Sequence, residues 1–179
     1  MKRNLMTIIT RAMLTMAVTF TLTVITASAQ YARRMMVNDA DRAFMSEAAT
    51  GGLAEVDLGR LASRKAASAD VKAFAQRMVR DHSKANAELK SLASKKRVAL
   101  PEAMTDEQKA EKAKLQKLSG ADFDREYMSM MVEDHDKDVA AFQDKSSSAN
   151  DADLRALVSK TLPILQEHQR LAHEIKGKM

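Results

Sequence analysis

Apolar residues recur at alternating steps of three and four along most of the chain, the spacing that places them on one face of an α-helix. One stripe runs Phe44, Ala48, Gly51, Glu55, Leu58, Ala62, and a second Val71, Ala75, Met78, His82, Ala85, Leu89, Leu92. A third reads Phe123, Tyr127, Met131, His135, Asp138, Phe142, and a fourth Leu154, Leu157, Thr161, Ile164, His168, Leu171, Ile175. Start and stop signals frame each stripe. Asn38 with Asp41 predicts a helix over 39–65, and Ser68 caps one that runs to Lys96, before the Val98-Ala99-Leu100-Pro101 break. Thr105 with Gln108 fits a capping box for a shorter helix reaching Leu118. Ser119 with Asp122 starts a helix ending near Lys145, Ser146 to Ser148 reads as a loop, and Asn150 with Asp153 opens a last helix to about Lys176. Short loops favour antiparallel neighbours. The pattern therefore predicts an all-α, antiparallel up-down-up-down four-helix bundle, with a short extra helix in the one longer connection.

Composition agrees and narrows the chemistry. Five glycines and two prolines are too few for a turn-rich β-sandwich or barrel. The absence of cysteine removes disulfides, iron–sulfur clusters and thiolate zinc sites. No glycine-rich phosphate loop is present, so a nucleotide is not an expected cofactor; a haem is not expected either. Any chemistry must come from His, Asp, Glu and Met.

The N-terminus reads as an address. Lys2, Arg3 and Arg11 precede an apolar stretch, Leu14 to Ala27, and the small-residue site Ala27-Ser28-Ala29. This describes a secretory signal peptide over residues 1–29, cleaved after Ala29, followed by a disordered 30–37 and a bundle domain over 38–179. The stretch is short and diluted by threonines, so a spanning helix is not expected in the mature chain. No cysteine follows it, so a lipoprotein is excluded. The expected location is the periplasm or cell envelope. The whole chain carries 29 basic and 24 acidic residues; removing the three basic residues of 1–29 leaves 26 against 24, or +2. Lys95 to Arg97 is the densest basic spot and has no interleaved aromatics, so nucleic acid is not an expected partner.

Polar residues interrupt the apolar stripes. His82, His135 and His168 fall on the seams of three helices and Glu55 on the seam of the fourth, each near mid-helix. Buried imidazoles and carboxylates require partners or a metal. One Glu and three His from four helices is a plausible first shell for a single zinc, copper or iron ion. The competing reading is a buried His–Glu hydrogen-bond network. Met78 and Met131 each lie one turn before a seam histidine, where a thioether would suit Cu(I); core filler is the alternative. Asp138 is a further candidate ligand. Asp81 and Asp134 directly precede seam histidines and so do not share their helix face. His173 is off the stripe and expected in solvent. Close helix approach or a local kink would explain Gly51-Gly52, and Pro163 should bend the last helix.

The run FMSEAATGGLAEVDLGRLASRKAASADVKAFAQRMVRDHSKANAELKSLA (Phe44 to Ala93), with FDREYMSMMVEDH (Phe123 to His135) and LPILQEHQRLA (Leu162 to Ala172), resembles the bacterial domain-of-unknown-function 4142 family. Its members are exported, ferritin-like proteins often labelled as outer-membrane proteins. The resemblance implies a ferritin-like four-helix bundle and no established activity. Ferritin-like di-iron proteins carry Glu-x-x-His on two helices. Here Val79, Val132 and Leu165 stand three residues before the seam histidines, which speaks against a di-iron oxidase or an iron store.

Three functions follow as expectations. The first is an exported bundle binding one transition metal for buffering, sensing or envelope stress protection. The second is a metal-free structural or interaction protein of the envelope. The third is an enzyme using the same site with an open coordination position, for which Tyr127 would be a proton or radical partner.

Overall fold

A computed structural model describes residues 37–179; the expected signal peptide and residues 30–36 lie outside the described residues. Among the described residues the chain is all-α, with five helices and no strand. They are α1 (Asp39–Lys65), α2 (Ala69–Lys96), α3 (Asp106–Leu115), α4 (Gly120–Ser148) and α5 (Ala152–Lys176). No helix among these residues is long and apolar enough to cross a membrane. Val37, expected to be disordered, is buried in the apolar cluster around Phe44.

Local chemistry sets most boundaries. The Asn38 side chain accepts from the Asp41 N–H at 2.7 Å, and Thr105 and Gln108 form both bonds of a capping box. Two expectations are corrected. Ser146 to Ser148 are helical rather than a loop, because Ser146 and Ser147 hydroxyls bond back to the carbonyls of Gln143 and Asp144. The N-cap of α5 is Asp151 rather than Asn150: its carboxylate accepts from Asp153 and Leu154 N–H, each at 3.0 Å. Gly52 explains itself by contact, since a Cβ there would sit 2.0 Å from the Asn86 amide oxygen on α2.

Two apolar clusters fix the helix directions. One joins the end of α1 (Leu58, Leu61, Ala62), the start of α2 (Val71, Phe74), the start of α4 (Phe123, Tyr127) and Ala172 near the end of α5. The other joins the start of α1 (Phe44, Met45), the end of α2 (Leu89, Leu92), Ala149 after α4 and the start of α5 (Leu154, Val158). So α2 and α4 run the same way, opposite to α1 and α5, and the expected up-down-up-down order is wrong. The physical reason is the reach of the link between α2 and α4. The 28 residues of α2 span about 42 Å. The extended 97–105 reaches up to about 30 Å, and the 10 residues of α3 add about 15 Å. That suffices to return along the molecule: Leu100 packs on the second cluster, Lys112 pairs with Asp57 midway along α1, and Leu115 lies in the first cluster. Helix α1 packs along α2 and α4 along α5, and the pairs meet through α2–α5 and α1–α4.

Buried carboxylates tie the two hairpins at both ends. Asp41 on α1 accepts from the N–H groups of Asn150 and Asp151, each at 3.0 Å. Asp124 on α4 accepts from Ala67 at 3.0 Å and Ser68 at 2.7 Å. The Ser68 hydroxyl, expected to cap α2, makes no cap bond, and Asp124 instead holds the two N–H groups just ahead of the helix.

Candidate metal centre

Between the two apolar clusters the four long helices each turn one interrupting residue inward: Glu55 from α1, His82 from α2, His135 from α4 and His168 from α5. All four are buried, with at most 4% of any of them exposed. The three imidazoles form a near-equilateral triangle, with ring centroids 5.6 Å apart for His82–His135, 5.2 Å for His82–His168 and 5.4 Å for His135–His168. One nitrogen from each histidine lies within 4.8 Å of the others.

Each ring is anchored by its outer nitrogen. His82 Nδ1 donates to Glu55 Oε2 at 2.7 Å, His135 Nδ1 to the Met131 carbonyl at 2.8 Å, and His168 Nε2 to Asp81 Oδ2 at 2.9 Å. The other nitrogen of each ring, His82 Nε2, His135 Nε2 and His168 Nδ1, is buried without a hydrogen-bond partner. Metal-binding histidines are held this way, with the outer N–H fixed by a carboxylate or carbonyl and the inner nitrogen free. Glu55 Oε1 is also unpartnered and lies 3.4 Å from His135 Nε2.

Charges are arranged around that triangle. Burial opposes ionisation of Glu55, but the His82 charge beside it wins and holds its carboxyl below the usual range. Burial likewise opposes protonation of His82, and the Glu55 charge outweighs it, so its pKa is raised. Burial lowers His135, and it pushes His168 down to about 4 against its own hydrogen bond to Asp81. At neutral pH Glu55 is ionised, while His135 and His168 are neutral. His135 Nε2 and Glu55 Oε1 then face each other as two acceptors, an arrangement a cation would relieve.

Glu55 stands beside the histidine triangle as the partner of His82. Met78 and Met131 are fully buried in the first apolar cluster, where Met131 serves the site through its carbonyl. Asp138 is half-buried on the wall of an adjoining cavity, and burial followed by the Glu55 charge raises it to about 8. Tyr127 packs edge-on against Phe74, its hydroxyl buried without a partner, and burial raises its pKa. His173 is exposed and bonds Asp136 at 2.9 Å. Asp81 was missed as a site residue: it does not share the face of His82, but that same rotation aims it at His168 on the neighbouring helix. Arg77 Nε holds it from one turn back at 3.4 Å.

The fold is similar to solved structures. A domain-of-unknown-function 305 fragment from Deinococcus radiodurans matches with TM-score 0.71 and 14% identity, over 80% of this chain and 99% of that one. CopM in its Cu(II)-bound form matches with TM-score 0.66 and 16% identity, over 77% of this chain and 96% of that one. Its Cu(I)-bound form gives TM-score 0.65 and 17% identity over the same shares. No functionally curated protein matches the sequence. A family model matches residues 26–175, and the chain belongs to the family described as domain of unknown function DUF4142.

Proposed function

We propose that this protein is exported to the periplasm or cell envelope and binds one transition metal ion between its four long helices, buffering or carrying that ion. His82, His135 and His168 supply the ligands through their inner nitrogens. Glu55 orients His82 and offers Oε1 at the fourth position. In a tetrahedral site with bonds of about 2.0–2.1 Å, neighbouring donors stand roughly 3.4 Å apart, which matches Glu55 Oε1 and His135 Nε2 at 3.4 Å. The exported bundle is ferritin-like: two antiparallel hairpins joined by one long crossover is the ferritin-like arrangement.

The observation that carries this reading is the convergence of three buried, unpartnered imidazole nitrogens whose rings are all anchored from behind. A metal-free network accounts for the outer bonds and leaves the inner nitrogens bare. Imidazole donors suit copper and zinc, and copper is favoured because CopM, similar in fold, is copper-bound in both oxidation states. Competition titration against a copper chelator tests the proposal. The wild type should bind one equivalent, and each of His82→Ala, His135→Ala and His168→Ala should weaken binding by more than about 100-fold, beyond the usual effect of outer partners. Equal affinity in the variants, or no binding by the wild type, would overturn it.

A further inference from the structure

The α1–α2 and α4–α5 hairpins repeat one another at a constant shift of 83 residues, which carries Asp41 onto Asp124, Phe44 onto Tyr127, Met45 onto Met128, Ala66 onto Ala149 and Asp70 onto Asp153. The end ties obey the same shift. Asp41 accepts from Asn150 and Asp151, and Asp124 from the equivalent Ala67 and Ser68. Two hairpins related in this way have two equivalent site positions. One is built from Glu55, His82, His135 and His168. At the other, the shift sets Asp138 in the role of Glu55, Leu165 in that of His82, Gly52 in that of His135 and Ala85 in that of His168.

Alanine in place of an imidazole at position 85 leaves space, while the Asn86 side chain fills the room beside Gly52. Gly52, Ala85, Asp138 and Leu165 all line one cavity of about 40 Å³, and Glu55 and His82 of the histidine site form part of its wall. A water molecule requires roughly 10–15 Å³ of such space, so the cavity accommodates a molecule of two or three heavy atoms. Glu55, whose Oε1 is buried and unpartnered, belongs to this wall. The ionised Glu55 disfavours an anion, and a lining dominated by Phe44, Leu89, Phe142, Leu157 and Val158, with Asn86 and Thr161 as its neutral polar groups, disfavours a hydrated cation and leaves an uncharged molecule as the fitting guest.

We infer that this vacated half-site is a binding chamber for a small uncharged molecule of two or three heavy atoms, which reaches the metal's remaining coordination position from it. The inference rests on the metal-binding reading above. Three imidazoles satisfy Cu(I) as soft-tolerant donors, whereas the hard carboxylate that Glu55 offers at the fourth position is a weak ligand for it, so a guest from the chamber displaces it there.

Carbon monoxide on Cu(I)-loaded protein is the probe, read by its infrared C–O stretch and by titration. The loaded wild type should take up one equivalent. Ala85→Leu, which fills the chamber, should weaken carbon monoxide binding by about tenfold or more while Cu(I) affinity stays within about twofold. Ala48→Leu fills the same chamber from α1 and serves where Ala85→Leu does not fold. Loaded wild type that takes no carbon monoxide, or filled variants that bind it like the wild type, would overturn this inference alone. Absence of Cu(I) binding would overturn the metal reading and this inference with it.

Discussion

Acid should destabilise the metal-free protein through His168, by an amount the structure sets. Its ring is fully buried, and its pKa falls from 6.5 to about 4. Between those values the unfolded chain binds a proton that the folded chain refuses, so stability falls as pH falls. The loss begins near pH 6.5, is complete near pH 4, and is worth about 3 kcal/mol. His135 contributes in the same direction, since burial lowers it too. His82 has the opposite sign. Its raised pKa gives stability that is fully present below its unfolded value and lost as pH rises through the folded one. His168→Leu removes the first contribution and keeps the other two, so the difference between the proteins isolates it. Urea unfolding from about pH 7 to about pH 4 should show the wild type losing about 3 kcal/mol more than His168→Leu. Parallel pH profiles for the two proteins would refute the claim that a neutral imidazole is enforced there.

Other outcomes follow from single contacts. Asp124→Ala strips two backbone N–H groups of their acceptor in the α1–α2 turn and should destabilise by about 2–3 kcal/mol in urea titration; a change near zero would deny the tie its role. Gly52→Ala should change stability by less than about 1 kcal/mol, because the obstacle is the flexible end of the Asn86 side chain, which can turn aside, and adding Asn86→Ala should shift it little further. Calorimetric melts of the two variants decide it. Asp81→Asn keeps an acceptor for His168 but removes the charge behind it, and should lower metal affinity by about tenfold in chelator competition; unchanged affinity would make Asp81 a bystander.

Much of this architecture can be read from the sequence, for identifiable reasons. Asn38, Thr105 and Gln108 act through their immediate neighbours, so their caps are local facts, and the starts of α1 and α3 follow from them. The seam positions of Glu55, His82, His135 and His168 follow from helical periodicity, and the structure brings these four together. Helix direction is different. Residues 97–119 contain a helix and a break, and nothing local reveals that they travel the length of α1; the Lys112–Asp57 pair and the burial of Leu115 do. Asp81 escaped because spacing along one helix ranks neighbours on that helix only, whereas its partner His168 is on another. The 83-residue repeat is carried by scattered positions and becomes visible once reciprocal bonds of Asp41 and Asp124 identify equivalent turns.

The most direct test of the central claim is the metal content of the full chain, produced in its host and purified without chelator or affinity tag, measured by elemental mass spectrometry. The triple variant His82→Ala, His135→Ala, His168→Ala is measured beside it. The account predicts close to one transition metal ion per wild-type chain and none in the variant. No metal in either protein, even after titration with copper, zinc and iron, or the same metal content in both, would contradict it.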